Sequence, residues 1–493
     1  MIIELCPETL RPVRTRDMRQ LSYNIEMTEL TGGTFWKPYT DGQIDGTEPF
    51  PVPEDPGEIM KLLMQLHVPM PAIDLYEPRI RTLAKALGPV IIRFSGSWAT
   101  RTYYDFDGHT GGKVPDGFDF VLTAEQWLGA LDFAKAVGAE IMVSLANSYG
   151  VHENGTGRWL PDQAELLWNF TAEHGMTIGY AEFMNEPNLI NGMKLPEGYG
   201  AAEYGRDHDL FAAWLRDNHP ETALVGPCAS DSPRSTMVGG SMLSLLTSAE
   251  LLEHIKEKPA YFSYHSYAGI SERGQFFGNH HPFEKVLTEE YLGLTISDLE
   301  YAIPQRDGYA PGCDMWVTES ADGACGGNTW APTFAEVFRF LDEAARFDLK
   351  ARGILFHNTL ASSAYGFLDS ETHEPRPQYW AALLFNTLCG ETVYDTGVDI
   401  SEGAHVFAFS RRDGKDGAVY LSINNSASGA LELTVPAGES YILSSDKLRG
   451  RNIQLNGTVL EMPDAHTMPE LKGAPVSAGQ LTIAPLTVAF IVV

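Results

Sequence analysis

Asn185-Glu186-Pro187 follows the strand-like run 177–184, and Glu319 closes the run Asp314-Met315-Trp316-Val317-Thr318 ahead of a glycine-rich loop over 320–327. Proline cannot donate to a strand ladder, so Pro187 ends its run and leaves an amide and a carboxyl side by side at the tip. Two carboxyls on separate strand tips are what glycoside hydrolysis needs. One protonates the leaving oxygen while the other attacks the anomeric carbon or activates water. Carboxyls about 5–5.5 Å apart give retention and about 6.5–9.5 Å inversion; spacing along the chain leaves that choice open.

Each carboxyl has candidate neighbours. Asn185 offers an amide to a sugar 2-hydroxyl, a contact that strengthens in an oxocarbenium-like transition state. Tyr267, closing Tyr264-His265-Ser266-Tyr267, is placed to donate to Glu319, and Arg93 to keep Glu319 charged. A general acid instead needs a raised pKa, from desolvation or a nearby like charge. His265 and Tyr264 read either as site residues or as core, because aromatic side chains on barrel strands usually pack. Trp36, Trp98, Trp159 and Trp330 fall in expected loops, each as suited to core packing as to stacking on a sugar face. Glu182 reads as a buried, paired structural residue. A lone glutamate at a strand end is ordinarily a solvated loop residue or a cap partner, so the case for chemistry rests on the pair and on the fold that places it.

Alternation of apolar runs and amphipathic stretches supplies that fold. Strands are expected at 20–26, 89–95, 139–146, 177–184, 222–228, 260–266, 314–319 and 352–357. Helices are expected at 73–87, 123–137, 161–174, 202–218, 241–257, 296–304, 332–348 and 376–389, with Thr123, Pro161 and Pro332 as start signals. The expectation is a (β/α)₈ barrel over 18–390, its site at the C-terminal ends of the strands; an open doubly wound sheet is the alternative. Beyond 390 the runs 404–410, 417–424, 430–435, 440–444, 452–455, 480–484 and 486–492 are short, strand-like and separated by turns. They imply a β-sandwich over 391–493 that takes in residues 1–17.

Composition narrows the function classes. A formal net charge of −30 repels nucleic acid and anionic membranes. No run of 18 apolar residues suggests a membrane span. Five scattered cysteines without a C-x-x-C argue against a disulfide framework or zinc site, and the start Met1-Ile2-Ile3-Glu4 lacks a secretory pattern. The expectation is a cytoplasmic protein, or a secreted one if a leader has been removed. No G-x-S-x-G, P-loop, H-E-x-x-H or dinucleotide fingerprint occurs, and His280-His281 has no spaced carboxylate partner, so neither cofactor nor metal is expected.

These residues resemble glycoside hydrolase family 79, which contains β-glucuronidases and heparanases. The resemblance runs through Arg93-Phe94-Ser95-Gly96-Ser97, Asn185-Glu186-Pro187-Asn188, His265-Ser266-Tyr267, Thr318-Glu319-Ser320 with Gly326-Gly327, and Tyr365-Gly366-Phe367-Leu368-Asp369. It continues in Pro377-Gln378-Tyr379-Trp380, Leu383-Leu384-Phe385, Val459-Leu460-Glu461-Met462 and Met468-Pro469-Glu470-Leu471. It implies a retaining mechanism with Glu186 as acid/base and Glu319 as nucleophile, sugar contacts from Glu26, Ser97, Asn185 and Tyr267, and support from Arg93 and His265. A glucuronate carboxylate would be held by Tyr365 and by backbone N–H groups around Cys325 and Gly326. The implied partner is a glucuronic-acid-containing oligosaccharide, heparan sulfate-like, or a small glucuronide. Cys325 stands where the mammalian heparanases have glycine, Glu26 where they have aspartate, and their flanking basic clusters have no counterpart. The expectation therefore moves from endo-cleavage of highly sulfated chains toward an exo-acting or weakly endo-acting β-glucuronidase. A barrel acting on neutral xylosides or glucosides, and a sugar-binding relative without turnover, remain the alternatives.

Overall fold

Eight short strands, apolar enough to be buried on both faces, close into a parallel barrel: β1 (Leu21–Glu26), β2 (Ile91–Ser95), β3 (Glu140–Ser144), β4 (Ile178–Glu182), β5 (Ala223–Ala229), β6 (Tyr261–Tyr267), β7 (Asp314–Ala321) and β8 (Leu355–His357). The structure, a computed structural model, describes residues 2–53, 55–233 and 245–493. All eight strands differ from the expected spans by one to three residues at an end, and two of these differences bear on the site. The β4 ladder stops at Glu182, so Phe183–Glu186 form a bend beyond it, while β7 runs to Ala321 because Ser320 and Ala321 still pair with Ser266 and Tyr267.

Helices follow the strands, and several carry the expected starts. Thr123 and Gln126 form a reciprocal cap, Gln126 N–H donating to Thr123 Oγ1 at 3.3 Å and Thr123 N–H to Gln126 Oε1 at 2.9 Å. Pro161 is the cap of helix Asp162–Glu173, but Pro332 lies outside helix Ala335–Lys350, which is capped by Phe334. Helix Leu294–Tyr309 continues five residues past Pro304, forfeiting one backbone bond; Tyr309 Oη donates to the Glu257 carbonyl at 2.6 Å and holds the last turn. Of the helix expected over 241–257, Ser248–His254 is helical, and residues 241–244 lie outside the described residues. An antiparallel pair of Gly33–Trp36 with His67–Met70, not among the expected strands, brings Trp36 over the barrel mouth.

The C-terminal strands make a sandwich with the N-terminal segment. Arg11–Thr15 pairs antiparallel with Cys389–Asp395, and Ile2–Glu4 pairs parallel with Leu431–Val435. Period-two alternation sorts the large sheet's residues between two cores. Val406, Ala408, Tyr420, Ala489 and Ile491 face the small sheet, whereas Phe407, Phe409, Leu421, Val488 and Phe490 pack into the barrel's own core.

His405 on strand His405–Arg411 ties these layers together: Nδ1 lies 2.6 Å from Asp342 Oδ1 and Nε2 2.8 Å from Glu289 Oε1, with Arg346 alongside. Burial disfavours its charge, but hydrogen bonds to Asp342 and Glu289 outweigh that and push its pKa up to about 9. A histidine raised from its ordinary value near 6.5 stabilises the fold fully below that pH and loses the contribution as pH rises through about 9. We expect the unfolding free energy to fall by on the order of 2–3 kcal/mol across that interval. Thermal denaturation from pH 6 to pH 9.5 measures it, and His405→Phe should flatten the curve.

Candidate active site

Arg93 lies on β2 with no exposed surface, and its guanidinium spans the barrel interior. Nη2 donates to Glu182 Oε1 at 2.6 Å and to Asn185 Oδ1 at 2.7 Å, Nε to Glu182 Oε2 at 3.2 Å, and Nη1 to Glu319 Oε1 at 3.1 Å. β2 borders neither β4 nor β7, so these bonds cross the inside of the barrel. Glu182 also accepts from Ser144 and Cys228. Burial alone would discharge the arginine, but Glu182 and Glu319 more than restore its charge.

Glu319 has a second donor: Tyr267 Oη gives it a hydrogen bond at 2.5 Å. That phenol accepts from Asn358 Nδ2 at 2.9 Å, and Asn358 Oδ1 accepts from Asn24 at 3.2 Å, so strands β1, β6 and β7 and the segment after β8 fix one proton's direction. Burial pushes the Glu319 carboxyl up, but His265, Arg93 and Tyr267 together hold it below the usual carboxylate range. Glu319 is therefore an ionised, directed oxygen. Glu186 sits on the bend after β4 at φ +45°, backbone geometry that disfavours a side-chain-bearing residue. Its N–H donates to the Cys228 carbonyl at 3.2 Å, and its Oε1 lies 3.1 Å from His265 Nδ1, which is also 3.4 Å from Glu319 Oε2. One oxygen of each glutamate and a ring nitrogen of His265 all lie within 4.8 Å of one another.

Such a trio could in principle grip a cation, but Arg93 already neutralises one of its carboxylates. Asp105, buried at the end of strand Thr102–Asp105, converges similarly with the exposed Asp107 and His109.

A cavity of about 340 Å³ opens over the pair. Glu26, Ser97, Asn185, His265, Tyr267, Cys325 and Tyr365 all line it. Gly326 does not: it is buried behind the wall, where a β-carbon would come within 2.6 Å of both Trp36 and Ser363. Any role for Gly326 is therefore a backbone role. Glu26 packs on Gly96, whose added β-carbon would lie 1.5 Å from Glu26 Oε2. Burial, then the negative charges of Glu319 and Glu29, push the Glu26 carboxyl well up against the opposing pull of Arg93, making it a neutral acid with a proton to donate. Trp36 and Trp98 reach the cavity, whereas Trp159 packs on Phe183 and Phe211 and Trp330 on Tyr291, both in the core.

The loop after β7 runs Cys325, Gly326, Gly327 at φ +62°, +81° and +78°, a left-handed stretch that turns successive peptides. Its carbonyls are all engaged, whereas no partner for the N–H of Cys325 or Gly326 occurs among the described residues. Sequence reasoning missed Asn358, which no motif marks, and Arg273, an arginine in an unpatterned segment after β6 that grips those carbonyls. The geometry supplies an ionised carboxylate, a second carboxyl at catalytic range, amide and phenol donors, and a pair of free N–H groups.

The buried ion pair has a measurable cost if halved. Arg93→Met leaves Glu182 and Glu319 unpaired in the barrel and should lower the unfolding free energy by about 3–5 kcal/mol. Combining it with Glu182→Gln should recover part of the loss; urea denaturation of the two single variants and the double variant measures the coupling.

No family model matches the chain. Heparanase of Mus musculus is 24% identical over 481 residues, covering 83% of this chain and 84% of that protein. Hyaluronoglucuronidase of Hirudo nipponia is 22% identical over 468 residues, covering 85% and 90%. Among solved structures, a 4-O-α-L-rhamnosyl-β-D-glucuronidase from Fusarium oxysporum superposes with a TM-score of 0.67 at 10% identity over 100% of both chains, a likeness of fold.

Proposed function

We propose that this chain, a glycoside hydrolase of the heparanase- and glucuronidase-like family (glycoside hydrolase family 79), releases β-linked glucuronic acid by double displacement from glycosaminoglycan-type oligosaccharides or small glucuronides. One observation carries the reading: Glu319, held ionised by Arg93 and Tyr267, has an oxygen within 4.8 Å of a Glu186 oxygen. That spacing supports the roughly 5–5.5 Å of retaining enzymes over the roughly 6.5–9.5 Å of inverting ones.

In this mechanism Glu319 attacks the anomeric carbon while Glu186 gives its proton to the departing oxygen, so the glycosidic bond breaks as the glycosyl ester forms. Glu186, now ionised, takes a proton from water; the hydroxide adds to the anomeric carbon and the ester bond to Glu319 breaks. Asn185, oriented by Arg93 through its Oδ1, keeps its amide N–H₂ free for the 2-hydroxyl. Tyr365 and the N–H groups of Cys325 and Gly326 are suited to the sugar's acid group, and the neutral Glu26 can donate rather than repel.

A neutral β-glycoside is the second reading, favoured by the absence of any lysine or arginine among the described residues of the cavity wall. A panel of 4-nitrophenyl β-D-glycosides separates the two. We expect kcat/KM for the glucuronide to exceed those for the glucoside and xyloside by about 100-fold or more, because buried donors left without the acid's oxygens are costly. Glucoside preference would withdraw the glucuronide assignment. Glu186→Ala should slow glucuronides of poor leaving groups far more than those of good ones, since only the former need the proton.

A further inference from the structure

Buried cations are ordinarily matched by anions, because an unpaired charge away from water is expensive. Arg273 departs from that rule. It is 1% exposed, and among the described residues no carboxylate oxygen lies within 4.0 Å of its nitrogens. Nη1 instead donates to three successive carbonyls, Cys325 at 3.3 Å, Gly326 at 3.1 Å and Gly327 at 2.9 Å, and Nη2 to the Lys37 carbonyl at 2.7 Å. The Tyr39 ring covers the guanidinium at 3.7 Å. The charge is solvated by neutral oxygens and a π-face, with no counter-charge in contact.

The direction of those contacts matters. In a trans peptide the C=O and N–H point opposite ways, so the carbonyl of Cys325 belongs to the same plane as the N–H of Gly326. Arg273 and the Ser271 hydroxyl, at 2.9 Å, both pull on that carbonyl and so polarise the N–H on the far side. Ser271 N–H holds the Ala324 carbonyl at 3.1 Å, and that peptide carries the Cys325 N–H. These two N–H groups are the ones without a partner among the described residues, and Cys325 borders the cavity.

From this geometry we propose that Arg273 is a positioning residue that sets specificity for an anionic sugar: it fixes the 325–327 loop, with Cys325 on the cavity wall and Gly326 behind it, and lends their N–H groups positive potential, so that a uronic acid's carboxylate supplies the missing counter-charge. The proposal rests on the glucuronide reading above and says how the same site recognises the acid without a cation in its wall. Arginine is needed because a planar fork reaches several acceptors at once, whereas an ammonium is a single point charge.

The test compares 4-nitrophenyl β-D-glucuronide with 4-nitrophenyl β-D-glucoside for the intact wild type, Arg273→Lys and Arg273→Met, resolving KM from kcat. Arg273→Met should cut kcat/KM for the glucuronide by about 10- to 100-fold, mainly through KM, with a much smaller fall for the glucoside; Arg273→Lys should lie between. Equal falls on both substrates, or an unchanged ratio, overturn the proposal and leave Arg273 a purely structural loop anchor. Should Arg273→Met not fold, Ser271→Ala decides: a selectivity loss of about 3- to 10-fold supports the relay, and a parallel loss on both substrates overturns it. A wild type that does not favour the glucuronide withdraws the substrate reading itself, and this proposal with it. Selectivity present in the wild type but untouched in the variants removes only Arg273.

Discussion

The arginine that crosses the barrel is the constraint on which the rest of the site depends. Arg93 donates at once to Glu182, Asn185 and Glu319, so one guanidinium compensates two buried carboxylates and orients the amide beside a third. Without it, Glu182 and Glu319 would face each other in a low-dielectric interior, and one would take up a proton. Its pairing also ties β2 to β4 and β7, which share no edge with it, so the strands that carry the two glutamates are held by the same side chain that holds their charge.

Around this centre the protein handles negative charge locally. The chain carries a net charge of −30 and gathers Glu26, Glu29, Glu182, Glu186 and Glu319 about one site, yet these buried acids are not all treated alike. Glu319 is held ionised by the charges of His265 and Arg93 and by the Tyr267 hydrogen bond, while burial pushes Glu29 up to about 8 and Glu26 well above its ordinary range. A neutral acid offers a proton where an ionised one offers only lone pairs, so one residue type can serve as donor and as acceptor. Such a surface offers an anionic substrate no long-range steering, so the proposed glucuronide reading rests on short-range peptide dipoles.

Much of this was legible in the residues. Parallel barrel strands are apolar runs bounded by turn signals, so all eight could be read, and Glu186, Glu319, Arg93 and Tyr267 stand at or near strand ends where periodicity locates them. What stayed hidden depends on contacts between distant segments. Arg273 lies in the short 3₁₀ helix Glu272–Phe277 and acts on carbonyls 52 to 54 residues away, and Asn358 reaches Tyr267 across 91 residues. Neither has a local signal. Trp36 and Trp330 are equivalent in sequence, each near turn-forming residues, yet an antiparallel strand pair carries one to the cavity while the other packs on Tyr291. Seven sandwich strands were legible but Cys389–Asp395, Thr458–Val459 and Ala474–Val476 were not, and which alternate residues face the barrel became clear only once the layers were in place.

The central claim is that Glu319 becomes covalently bonded to the sugar while Glu186 handles the proton. Its most direct test is peptide mapping by mass spectrometry after trapping with a 2-deoxy-2-fluoro-β-D-glucuronyl fluoride, which slows breakdown of a glycosyl ester. The account predicts a single adduct on the peptide containing Glu319, lost in Glu319→Gln. An adduct on Glu186, or turnover without any adduct and with an inverted first product, would contradict it.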